Sequence, residues 1–262
     1  MAALVLTSRC RCPLPFVSLG ASGRYPPAAV HLEANLGSKW SPTVGKLILV
    51  RHGHTPLNSD GVDERLRGWL DVPLDSDGLR EAAELAQRLA GFAITAIYSS
   101  DLRRARQTAE TIQASTNAAL FTTAELRPWN LGIFGGQLLR EIMPFLNLLQ
   151  ENPNLTAPNG ESFLHFYERY SRRLSELLQI AEDAPGDIIA VTHVRNLLAA
   201  GTILAHGDAE HVPVQGGPST GSLTTIEKLD GRWRMRTIKA HPVSEIPADS
   251  HTAEVNRDLW AS

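Results

Sequence analysis

The strongest constraint in this chain is a recurring order of segments: a short apolar run rich in branched side chains, a polar cluster, then a helical pattern with one apolar face. Lys46–Val50, with Gly45 before it and polar residues after it, reads as a buried strand. Asp75-Ser76-Asp77 offers an N-cap ahead of Leu79, Ala82, Ala83, Ala86 and Leu89, and Gly91 stands at the stop position. Ala93–Tyr98 is a second strand, after which Ser99 or Ser100 caps a helix whose apolar face runs Leu102, Ala105, Ala109, Ile112. Gly160-Glu161-Ser162 leads into the clearest helical period, Phe163, Phe166, Tyr167, Tyr170, Leu174, Leu177 and Leu178, whose aromatics belong in a core. Asp187–Thr192 is another apolar strand, followed by His193 and a helix-like run through Leu197, Leu198 and Leu204. Leu223–Leu229 and Arg232–Lys239 flank Asp230-Gly231, a two-residue hairpin signal. The alternation implies an α/β three-layer sandwich, a mostly parallel sheet flanked by helices with a C-terminal hairpin. The segment from Leu126 to Asn159, rich in Gly, Pro and Asn, reads as a loop-rich insertion over one edge of the core that shapes substrate access.

Composition narrows the partners. With 43% apolar and 20% charged residues over 262 positions, the chain can bury the core of one large domain. A formal net charge of −3 gives no global reason for a nucleic-acid or membrane partner, so any phosphate affinity is local. Both cysteines, Cys10 and Cys12, fall in the first dozen residues, which excludes a disulfide framework or thiolate metal site from the body. No apolar run approaches the ~20 residues of a membrane-spanning helix. Residues 1–45 read as an N-terminal extension: its first thirty residues carry Arg9, Arg11 and Arg24 and no acid, a transit-peptide composition, the alternative being a start near Val44. The expected location is the cytoplasm, or an organelle if that extension is a genuine transit peptide. Residues 46–241 form the expected domain and 242–262 a tail.

In open α/β sheets ligands collect at the carboxyl ends of the strands. Arg51 and His52 follow the first strand; Ser99, Ser100 and a helix start bearing Arg103, Arg104 and Arg106 follow the second; His193 follows Asp187–Thr192. A single histidine after a strand is ordinarily a structural hydrogen-bonder, but three strand ends loaded this way describe an anion pocket. Arginine forks match phosphate oxygens and helix N-termini attract anions.

Arg51-His52-Gly53-His54-Thr55 with Asn58 resembles the RHGxTxxN signature of the histidine phosphatase superfamily. Gly68-x-x-Asp71-x-Pro73-Leu74 with Gly78, the stretch Ser99–Ala109, Gly160-Glu161-Ser162 with Arg169, and Val191-Thr192-His193 resemble the family's later motifs, in order, from about Lys46 to His241. The resemblance implies that His52 is a nucleophile that becomes transiently phosphorylated and that Arg51, Asn58, Arg104 and His193 bind the phosphoryl group. Helical periodicity does not choose among Arg103, Arg104 and Arg106; the motif, with its arginine directly before Ala105, selects Arg104. An imidazole of ordinary pKa ~6.5 offers a free nitrogen near neutral pH. Phosphoryl transfer then needs positioning and charge neutralisation, which Arg51, Arg104 and a protonated His193 supply with neither metal nor cofactor.

The chain departs from the family where members carry a general-acid glutamate, in an LRExxxGxxxG segment: here Leu126-Arg127-Pro128-Trp129 puts Pro128 at that place. Proline transfers no proton, and losing a positioned acid typically costs ~10²–10⁴-fold. Three readings follow, in this order: another carboxylate substitutes, the leaving group needs no proton, or the protein binds phosphates without turnover. Asp63, Glu64, Glu141 and Glu161 are the candidate substitutes, with Glu161 favoured as part of a motif at a helix start. Where the family continues with glycines after its second histidine, this chain has Val194-Arg195-Asn196, so Arg195, like Arg67 before Gly68, is a candidate substrate contact. The expected activity is hydrolysis of a phosphomonoester of a small metabolite through a phosphohistidine. Phosphoglycerate mutase-type transfer and non-catalytic phosphate-ligand binding are the alternatives.

Overall fold

The computed structural model describes residues 45–59 and 63–238. The expected extension up to residue 44, with its cysteines, and the tail lie outside the described residues. The sheet has six strands: β1 (Leu47–Arg51), β2 (Ile94–Ser100), β3 (Ala119–Thr123), β4 (Asp187–Thr192), β5 (Leu223–Leu229) and β6 (Arg232–Ile238). Their order is β3-β2-β4-β1-β5-β6. The first four in that order pair in parallel, and β5 and β6 add an antiparallel hairpin beside β1. Its turn is Asp230-Gly231, both at positive φ (50° and 73°), as a primed two-residue turn requires.

Alternation along the central strands builds the three layers. Leu47 and Leu49 of β1 with Ile188 and Ala190 of β4 face one core, shared with Phe163, Phe166, Tyr170, Leu174 and Leu177 of α4 (Phe163–Asp183) and Leu197 and Leu198 of α5 (Val194–Leu204). Ile48, Val50, Ile189 and Val191 face the other, against Leu85 and Leu89 of α1 (Ser76–Leu89) and Ala105, Ala109 and Ile112 of α2 (Arg103–Thr116). Central strands buried on both faces read as continuous apolar runs, as these do.

Caps mostly follow the sequence. The Asp75 carboxylate accepts from Gly78 N at 2.9 Å and Ser162 Oγ from His165 N at 3.1 Å, starting α1 and α4. The start of α2 differs: its N-cap is Leu102, without a side-chain cap, because β2 runs on through Ser100 and the serine hydroxyls are used at the strand end. Two further corrections concern β3, an edge strand absent from the sequence reading, and the insertion, which contains a regular helix, α3 (Leu139–Glu151), with Pro144 inside it. Ile142, Leu146 and Leu149 bury one face of α3 in the α4 core, and that packing outweighs the Pro penalty. Among the described residues no helix is long and apolar enough to cross a membrane.

The loop after β1 lies against the start of α1 with backbone touching backbone. A Cβ on Gly78 would stand 2.1 Å from the His54 carbonyl oxygen, and one on Gly53 2.5 Å from that of Gly78. Gly78→Ala would gain about 1 kcal/mol of helix propensity but meets rigid backbone, an overpacking that costs about 3 kcal/mol. The expected outcome is a net loss of about 2 kcal/mol, read by urea unfolding. A variant as stable as the parent would show that this contact does not hold the loop.

Candidate active site

Three parallel strands deliver their polar ends to one place. His52, the residue after β1, stays in the sheet ladder through its N–H to Thr192 O (3.0 Å), and Gly53 N–H beside it donates to Thr108 Oγ1 of α2 (3.1 Å). The His52 ring is buried, and its Nδ1 is 2.7 Å from the Gly53 carbonyl oxygen. A carbonyl only accepts, so the proton is on Nδ1 and the lone pair on Nε2. His193, directly after β4, has its ring centroid 5.0 Å from that of His52.

A cavity of about 90 Å³ lies here, with His52, Arg67, Arg104, His193 and Arg195 as its polar lining and Leu66, Pro128, Trp129, Leu131 and Val194 as its apolar one. Five groups from four separate stretches of sequence thus converge, and among the described residues no carboxylate lines the cavity. Arg104 is 1% exposed, and its guanidinium donates to the carbonyls of Leu70 (2.7 Å) and Gly68 (2.8 Å), leaving Nε buried without a partner. Arg103 and Arg106, on the same turn, are exposed. Arg51, expected to bind phosphate, is buried with Nη1 on Pro218 O (2.6 Å) and Nε likewise unpartnered, and it is not among the residues that line the cavity. Arg67 donates to Leu57 O (3.2 Å) and Glu64 Oε1 (3.0 Å). Arg195 holds the carbonyls of Pro213 (2.6 Å) and Val214 (2.8 Å).

Among the described residues the cavity lining carries cations and no anion. Burial first, then the neighbouring charge of Arg67, pulls Arg104 down to about 9 and Arg51 down to about 10. Burial also lowers Arg195 to about 10. A phosphoryl group in the cavity would relieve Arg67 and Arg104 of each other and offer an acceptor to the unpartnered Nε of Arg104.

His193 corrects the expectation of a protonated second histidine. Burial, with the charge of Arg104 next in weight, pushes it well below 6.5, and burial with Arg104 and Arg51 does the same to His52. Ser100, which sequence reasoning saw only as a cap, is its partner: Ser100 Oγ lies 2.9 Å from His193 Nε2 and accepts from Leu102 N at 3.4 Å. His193 Nδ1 is buried without a partner. With the Ser100 hydroxyl donating to Nε2, the ring proton would stand on Nδ1 and neutral His193 would offer a donor to a phosphate oxygen.

Two buried neutral histidines fix a pH dependence. The unfolded chain takes up protons as pH falls through about 6.5 while the folded, ligand-free chain does not, so stability declines from there downward until the folded-state values are reached. Urea midpoints at about pH 7.5 and about pH 5.5 are expected to differ more in the wild type than in His193→Gln, and equal differences would contradict it.

Other expected site residues lie elsewhere. Asn58 Oδ1 accepts from the Thr55 N–H (3.1 Å) and hydroxyl (2.8 Å), shaping the loop, and Asn58 does not line the cavity. Nor does Glu161, the favoured substitute acid: Arg169 Nη2 donates to it at 2.8 Å and Asn130 N at 3.0 Å, with its side chain 9% exposed. Asp63 is 80% exposed and paired with Arg140, Glu141 is exposed, and Glu64 is held by Arg67. Pro128 itself lines the cavity, its carbonyl accepting from Trp69 Nε1 at 2.8 Å.

Comparison with known proteins agrees with this geometry. The model of the histidine phosphatase superfamily, branch 1, matches residues 47–241. A Proteus mirabilis protein called probable phosphoglycerate mutase GpmB is 33% identical over 145 residues, 52% of this chain and 65% of that protein, so this chain spans less than two thirds of it. The native structure of mycobacterial glucosyl-3-phosphoglycerate phosphatase is 25% identical with a TM-score of 0.64, covering 75% of this chain and 99% of that one. A phosphoglycerate mutase from Bacillus anthracis, also 25% identical, has a TM-score of 0.63 and covers 75% of this chain and 93% of its own. Fold, strand-end residues and the family match over most of the chain make it a member of the histidine phosphatase superfamily, branch 1.

Proposed function

We propose that this chain is a phosphomonoester hydrolase that acts on a small phosphorylated metabolite through a phosphohistidine at His52. The observation that carries the reading is the joint lining of one small cavity by His52, with its free Nε2 lone pair, and by Arg67, Arg104, Arg195 and His193, whose Nδ1 has no partner. Nε2 attacks phosphorus in line, while Arg104 and His193 hold equatorial oxygens as their charge spreads and Arg67 and Arg195 add positive charge to the cavity. Water then attacks the phosphohistidine, the N–P bond breaks back onto Nε2, and both water protons leave with the phosphate. Fixed cations supply the charge neutralisation, so no step runs through a metal.

Phosphate release from 4-nitrophenyl phosphate by the purified chain tests this; binding of inorganic phosphate without release from any ester would leave only a phosphate-binding protein. Mutase-type transfer is the second reading, favoured by the name of the Proteus relative. Against it, isomerising a phosphoglycerate requires protons to move on two hydroxyls, and among the described residues no carboxylate lines the cavity. Interconversion of 2- and 3-phosphoglycerate faster than their hydrolysis would favour the mutase.

A further inference from the structure

We infer that the site is built for phosphoryl donors whose leaving group departs as its own anion, such as acyl phosphates and aryl esters, and not for alkyl phosphates. The inference rests on the hydrolase reading. In the transition state the bond to the leaving oxygen is largely broken, so that oxygen carries the developing charge. An alkoxide cannot leave in that state without a proton, whereas a carboxylate or phenolate can.

Among the described residues, none that lines the cavity is a carboxylic acid able to give that proton. Pro128 lines the cavity and is fixed there on both sides: Trp69 holds its carbonyl, and Arg127 before it forms a fork to Asp101 (2.7 and 2.6 Å) while stacking on Trp69 at 4.6 Å. Trp129 after it is 2% exposed, with Nε1 on the Glu161 carbonyl at 2.9 Å. Neither neighbour nor Pro128 can be exchanged for an acid by a small shift. Two of the candidate carboxylates are held by arginines, Glu161 by Arg169 and Glu64 by Arg67. What the cavity offers instead is fixed positive charge, Arg67 and Arg195, which stabilises an anion as it departs and has no proton to give at neutral pH. The first step balances without a proton: Nε2 gives its lone pair to phosphorus, the P–O bond breaks, and its electron pair leaves on the carboxylate or phenolate.

The test is kcat/KM, which reports phosphorylation of His52, for the full chain with acetyl, 4-nitrophenyl and phenyl phosphate against ethyl phosphate and glycerol 3-phosphate. The expected result is a fall of at least about 100-fold from the first group to the second, the size of a missing acid. Pro128→Glu should narrow that gap, and if it does not fold the wild-type series decides alone. Equal kcat/KM for both groups overturns the inference and leaves the hydrolase reading standing. No phosphate release from any member overturns the hydrolase reading, and this inference with it.

Discussion

His52→Ala is expected to lower turnover of 4-nitrophenyl phosphate by roughly four orders of magnitude or more, because it removes the atom that accepts the phosphoryl group and not merely a contact to it. The fold should survive, since the ring's one protein hydrogen bond is the local one to Gly53, and the backbone N–H that ties residue 52 to Thr192 does not depend on the side chain. Inorganic phosphate should still bind, because Arg67, Arg104, Arg195 and His193 remain and a neutral ring has left the site. The combination of lost turnover, kept binding and near-normal unfolding separates a nucleophile from a structural histidine. Turnover within tenfold of wild type would place the chemistry on another group.

Arg104→Lys carries the second largest effect. Its fork spans two carbonyls, Leu70 and Gly68, and keeps Nε over for a ligand, a geometry that a single ammonium does not reproduce. Because Gly68 also lines the cavity, losing this brace loosens the wall as well as removing a phosphate donor. The expectation is a loss of about 10²–10³ in kcat/KM. A buried carbonyl left without a donor should also lower stability by about 1–3 kcal/mol. Arg103→Ala and Arg106→Ala, on exposed faces of the same turn, should stay within about threefold of wild type. Equal effects at all three positions would mean that general positive charge, and not a placed fork, binds the phosphate.

Much of this arrangement is legible in the chain because the signals are local. Strands buried on both faces show as unbroken apolar runs, the Asp75 and Ser162 caps sit at the fixed offset from their helices, and Asp230-Gly231 has the residues its turn demands. The polar residues that close β1, β2 and β4 stand next to apolar runs in sequence, so their convergence follows from the parallel sheet. What escapes depends on partners distant in sequence. β3 is an edge strand whose Ala119, Phe121 and Thr122 are exposed, so it has neither an apolar run nor a clean alternation. α3 is masked by Pro144 and by Phe145 and Leu148, apolar residues on its exposed face that blur the helical period. Ser100 shows as a cap because a hydroxyl before a helix usually is one, and its partner His193 is 93 residues away. Glu161 stands in a motif at a helix start, yet spacing does not show that Arg169, about two turns along α4, takes its carboxylate.

The absence of an acid among the cavity-lining residues joins these observations to the chemistry. Pro128 is visible in the sequence as a departure, but only the structure shows that the other candidate carboxylates are paired elsewhere or exposed. On the proposed mechanism, phosphorylation of His52 is then easy for donors with stable leaving anions.

The central claim is that phosphorus passes through His52, and the most direct measurement is to quench the reaction with an aryl phosphate in alkali, digest the protein and locate the phosphate by mass spectrometry. The account predicts an acid-labile phosphate on the peptide containing His52, formed before phosphate is released and absent from His52→Ala. Release of phosphate with no phosphoenzyme at any time, or a label on His193 in its place, would contradict it.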